Sequence, residues 1–226
     1  NLSKKCFFNS KSLEVIEIAA KVICFDSSCF GNSRKLRNVS LHCINITIGG
    51  NCFTECNSIK TFTINELNKN ENVNEINLLN ECFFDSKGLR EIVIKAKKIN
   101  ILNNCFKGAN KLQKILIDGT TVNLSDYCFN NCSSLQSFTI NSLISISIGS
   151  KQFIECAKLK EITINATNNN DKDSNNSNNN NNNDNNNNNN SEIVGKKIEL
   201  AYDCFKGANN LEVLNICGGQ NLKISN

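Results

Sequence analysis

Thirteen cysteines and a single histidine are the side chains with which this 226-residue chain could do nucleophilic or metal chemistry. His42 stands beside Cys43, the pairing from which a base-activated thiolate is built. No second imidazole exists to orient or replace it, and its place just after Leu41 reads most simply as a solvated loop position. Cys52 and Cys56, and again Cys128 and Cys132, sit four residues apart. A structural metal site needs a second such pair or a histidine at ligand spacing, and neither pair has one. Glu14, Glu17, Glu91, Glu161 and Glu212 recur singly, the pattern of a solvated surface and not of a general acid–base pair. Gly49-Gly50 and Gly218-Gly219 are turn signals without the context of a phosphate loop. From this inventory the chain is expected to be neither an enzyme nor the holder of a metal or cofactor.

The cysteines make sense through their periodicity. A template C-F-x-x-[C/S/A]-x-x-L-x-x-[I/V/F]-x-[I/L] begins at Cys6-Phe7 and returns at Cys29, Cys52, Cys82, Cys105, Cys128, Gln152 and Cys204. An apolar pair lies six and four residues before each later anchor, as at Ile23 and Phe25 or Ile99 and Ile101, and opens once more at Leu222 and Ile224. The anchors define a 23-residue unit with insertions of 7, 1 and 29 residues after Ile64, Ile140 and Ile164. Insertions confined to one place in a unit emerge along one edge of a stack.

Within a unit, I-x-I alternation places both apolar side chains on one face of a strand. The anchor, anchor+4 and anchor+7 positions share a helical face, which predicts one turn of helix between two short strands. Such a unit cannot bury its own apolar edge, whereas stacked units share a continuous core. The expected fold is a right-handed solenoid of about eight coils over residues 1–226, mostly β, with two parallel sheets, eight stacked Phe and open ends. The repeated anchor cysteine is expected to act as a small buried apolar residue, since thiols stacked in parallel do not point towards one another.

The string Cys128-Phe129-Asn130-Asn131-Cys132-Ser133-Ser134-Leu135-Gln136-Ser137-Phe138-Thr139-Ile140, followed by Ile144-Ser145-Ile146-Ser147-Ile148-Gly149, resembles the BspA-like class of leucine-rich repeats. That class uses a 23-residue unit and is abundant in bacterial surface antigens and parasitic protists. It usually carries a Pro between the strands, whereas this chain has none, and it typically fills the anchor with Ala. The resemblance implies a surface-displayed adhesion or protein-binding role. The many unpaired thiols favour instead an intracellular scaffold, and a passive spacer is the third reading.

Residues 168–190 are almost entirely Asn and hold no apolar side chain, so they are expected to form a disordered inserted loop, tolerated at little cost in closure entropy. Eight N-x-[S/T] sequons arise at about the frequency expected by chance, given 45 Asn. A net charge of +4 from 25 basic and 21 acidic residues is too even to argue for nucleic acid. No apolar run approaches the roughly 18 residues needed to cross a bilayer. The chain opens on Asn1 with neither Met nor an apolar leader, the appearance of a processed or excised segment, expected to be a monomer or part of a longer repeat array.

If the function is recognition of a protein partner, the residue between the two apolar positions of each first strand supplies the surface: Glu17, Ser40, Thr63, Val93, Leu116, Thr139, Thr163 and Asn215. Val93 and Leu116, flanked by Thr63 and Thr139, form a small apolar centre with a polar surround. Ordinary β-propensity on a solvated sheet is the alternative. On the second strand Asn77, Asn100 and Asn123 read as a stacked amide ladder.

Overall fold

A computed structural model describes residues 1–68, 72–166 and 196–225. Coils 1 to 3 each carry two strands: β1 (Val15–Ala19) and β2 (Val22–Phe25), β3 (Asn38–Cys43) and β4 (Asn45–Ile48), β5 (Thr61–Glu66) and β6 (Glu75–Leu78). In coils 4 to 6 the two strands run together as β7 (Glu91–Ile101), β8 (Lys114–Leu124) and β9 (Ser137–Ile148). Coil 7 holds β10 (Glu161–Asn165) and β11 (Lys197–Ala201), and coil 8 holds β12 (Val213–Cys217) and β13 (Asn221–Ser225). Every pairing is parallel and joins a residue to its counterpart in the next coil, as Ile16 to Val39, Val39 to Phe62 and Ile92 to Ile115. The chain is therefore a parallel β-solenoid of eight coils.

The periodic apolar positions build one core along the axis. Its spine is a column of eight rings from Phe7 to Phe205, with neighbouring centroids 5.1–6.3 Å apart and planes within 5–11° of parallel. Phe30, Phe53, Phe83, Phe106, Phe129 and Phe153 are fully buried, as the template requires.

Two expectations are corrected. The first is the helical turn: among the described residues no helix occurs, and the anchor segment is a chain of turns. An α-helix must spend each backbone N–H within its own segment. Here alternate donors cross to the next coil, Phe7 N–H to Cys29 O at 2.7 Å and Asn9 N–H to Gly31 O at 2.8 Å. The intervening donors close turns within the coil, Phe8 N–H to Lys5 O and Ser10 N–H to Phe7 O. A left-handed residue three after the anchor, and in coils 1 to 7 another just before it, with φ of 52–62° at the non-glycine positions, keep the segment flat enough for this division. Asn9, Asn32, Asp85, Gly108, Asn131 and Gly207 at the second place are residue types that tolerate the left-handed region best.

The second correction is the separateness of the two sheets. β7, β8 and β9 pass through the corner between them, so one ten-stranded sheet runs along the rod and only β1, β3 and β5 form a sheet of their own. The corner is turned where a small inward residue stands, such as Ala96, Gly119 or Ser142, with a register shift between Gly119 and Thr121. The predicted loop at 168–190 lies outside the described residues.

Candidate functional site

In the first strands of coils 1 to 7 the residues flanking the outward position point into the core, so the outward position is fixed by the alternation alone. Register pairs Val93 with Leu116, Leu116 with Thr139 and Thr139 with Thr163. Val93 is 40% exposed and Leu116 and Thr139 are half-buried. These three predicted residues therefore lie side by side. Thr63 does not join them, because β5 pairs only with β3 and the ladder is broken between coils 3 and 4.

The cause of the break is local to coil 3. The inward corner position holds Ala20 and Cys43 in coils 1 and 2, whereas the equivalent count in coil 3 reaches Glu66. A carboxylate without a partner is costly to bury. Glu66 is accordingly exposed, the seven-residue insertion follows it, and Val73 takes the buried corner place instead. The excursion leaves an open groove of about 960 Å³ with Thr63 and Glu66 on one lip and Val93, Lys95, Asp118 and Leu143 on the other. Lys95 and Asp118 are register neighbours across β7 and β8, so the far lip presents both signs of charge beside the exposed aliphatics Val93 and Leu143. Sequence reasoning missed this groove; its one trace is the spacing of 30 between Cys52 and Cys82.

His42 also lines the groove, and it belongs to β3 and not to a loop. Its Nε2 lies 3.3 Å from Ser40 Oγ and its Nδ1 3.3 Å from the Glu66 carbonyl. Cys43, the next residue of the strand, faces the core, and burial pushes its thiol up to about 11. Imidazole and sulfur thus lie on opposite faces of the strand.

All thirteen cysteines are free and ten are buried. Burial pushes Cys56 and Cys156 up to about 12 and Cys204 to about 11, and it holds Cys82, Cys128 and Cys132 far above the ordinary thiol range. The Cys56 and Cys132 thiols donate to the Phe30 and Phe106 carbonyls of the preceding coil at 3.2 and 3.3 Å. Among the described residues no three His, Cys, Asp or Glu side chains converge as metal ligands.

The second-strand ladder is formed as read: Asn100 Nδ2 donates to Asn77 Oδ1 at 2.8 Å and Asn123 Nδ2 to Asn100 Oδ1 at 2.9 Å. The Asn123 sequon therefore has its amide engaged in the sheet.

The chain matches the family model of the BspA type leucine rich repeat region, in six copies over residues 1–78 and 66–183. It belongs to that family, and as a leucine-rich repeat solenoid it is a protein-interaction repeat module. No curated protein and no solved structure matches it. Among the described residues no helix is long and apolar enough to cross a membrane.

Proposed function

We propose that the chain is a non-catalytic recognition module displayed at a cell surface, where it binds a protein partner across the outer face of its first strands. The contact centres on Val93, Leu116 and Thr139, and Thr63 engages the partner from the opposite lip of the groove. One observation carries this reading: two aliphatic side chains sit in register on an outward face, Val93 40% exposed, beside an open groove of about 960 Å³. Interface energy concentrates in a few central residues surrounded by a polar rim, and Lys95 and Asp118 supply such a rim. The free thiols do not argue against an oxidising exterior, because ten of them are buried and the most deeply buried are held protonated, the form that reacts poorly with oxidants.

The test is capture from surface-biotinylated cell membranes and, separately, from cytosol, with the chain as bait. The membrane fraction is expected to yield a partner that Val93→Lys with Leu116→Lys fails to hold while the thermal melt stays unchanged. A partner retained by that double variant would place the site elsewhere, and capture from cytosol alone would select the intracellular scaffold.

A further inference from the structure

The charge that is nearly balanced along the sequence is unevenly placed in the fold. Positions five to eight residues after each anchor form one edge of the rod, leading into the first strands. Beside Arg34, which is paired with Glu55 at 3.5 Å, this edge holds in coils 2 to 5 six further cations, Lys35, Arg37, Lys60, Lys87, Arg90 and Lys111. Among the described residues no carboxylate lies within ion-pair distance of any of the six. Arg37, Lys60 and Arg90 occupy the same position of three successive coils.

The backbone opens in the middle of this row. At the neighbouring joints the equivalent amide bridges to the coil before it, Lys60 N–H to Arg37 O at 2.8 Å and Gln113 N–H to Arg90 O at 2.7 Å. No such bond runs from Arg90 N–H to Lys60 O, although the coils stay in contact through Phe53 and Phe83, 5.1 Å apart. The floor of the opening is Gly88, where a Cβ would fall 2.5 Å from the Ile59 carbonyl and 2.6 Å from that of Asn57, so no side chain can fill it. The result is a cleft of about 380 Å³ lined by Arg37, Lys60, Arg90 and Lys111. Four cations line the cleft beside an amide that lacks its usual carbonyl partner, and no carboxylate is among the lining residues.

We propose that this cleft binds a tetrahedral oxyanion, the sulfate or phosphate group of a larger ligand. Guanidinium groups match such oxygens with paired donors, and the ammonium groups of Lys60 and Lys111 add charge without fixed geometry. Lys35 and Lys87 extend the row, so a linear ligand with several such groups gains further contacts. The exposed aromatics Phe7, Phe8 and Tyr202 lie outside the cleft, which leaves no platform in it for stacking a nucleobase.

Calorimetric titration of the whole chain with sodium sulfate and with sodium phosphate, against sodium chloride at matched ionic strength, tests the site. Saturable binding of at least one oxyanion is expected. Arg37→Gln with Arg90→Gln should weaken it at least about tenfold, as removal of two charge-assisted partners implies. Lys107→Gln with Lys206→Gln, which removes the same charge from anchor turns, should change it less than about twofold. A heparin octasaccharide and a polyphosphate chain then identify the source, since the tighter of the two names the natural group. Equal weakening by both variant pairs, or no binding above chloride, would overturn the proposal. Unchanged melts keep the comparison free of unfolding.

Discussion

Replacing Phe106 with Ala tests whether the ring column holds the coils together. The ring is buried, with Phe83 at 5.2 Å and 10° on one side and Phe129 at 5.6 Å and 5° on the other. Burying a Phe side chain stabilises by about 1.5–3 kcal/mol. Each offset-stacked pair adds about 0.5–1.5 kcal/mol beyond area. The two contributions together come to about 2.5–6 kcal/mol, a span that contains the usual ~3–5 kcal/mol for Phe→Ala in a core. Phe7 is the internal control. It is 42% exposed and stacks on Phe30 alone, at 5.4 Å, so Phe7→Ala should cost only about 2 kcal/mol. Phe106→Leu keeps most of the buried area and forfeits both pairs, which places it between the two. Urea unfolding followed by circular dichroism measures all three, with an unchanged m-value as the condition for comparing midpoints. A Phe106→Ala loss no larger than that of Phe7→Ala would refute the claim that stacking between coils carries the rod.

The buried thiols give a pH dependence of definite sign. Cys43 and Cys204 titrate at about 11 and Cys56 and Cys156 at about 12 in the folded chain, against 9.0 for an unperturbed thiol, so the folded state holds protons that the unfolded state releases. Their stabilisation is complete below pH 9 and is lost as pH rises towards 11–12, at about 1.4 kcal/mol per pH unit for each thiol. Urea midpoints in reductant should fall steeply above pH 9, and less steeply in Cys56→Ala with Cys156→Ala, which removes two of the raised thiols. A flat profile would show that these thiols are solvated. In the native state a colorimetric thiol reagent should label Cys6 and Cys217 rapidly and half-buried Cys24 more slowly, with the other ten reacting only on unfolding. Asn100→Ala removes the middle of the amide ladder and leaves Asn77 Oδ1 and Asn123 Nδ2 without their bonds, at a cost of about 1–3 kcal/mol. Asn77→Ala breaks one bond at the end of the ladder and should cost less; equal losses in thermal or urea unfolding would contradict the ladder.

The recurrence of Cys-Phe and of I-x-I was enough to fix the number of coils, the inward positions and the columns that stack, because a solenoid repeats in space what the chain repeats in order. The amide ladder followed from the same counting, as did the burial of every anchor cysteine except Cys6, which the first coil leaves exposed. The helical turn that the anchor spacing predicts does not form, because spacings of four and seven residues describe which side chains share a face and not where the backbone donors go. Those donors choose between their own coil and the next, and only a neighbouring coil offers the second option. The groove and the cleft depend still more on tertiary contact. Both lie at the joint of coils 3 and 4, where the exposed Glu66 and the insertion after it interrupt a ladder that every other pair of coils completes. A spacing of 30 residues announces an insertion, but which hydrogen bonds it removes, and which side chains then line the opening, is decided by coils that lie far apart in the chain and side by side in the fold.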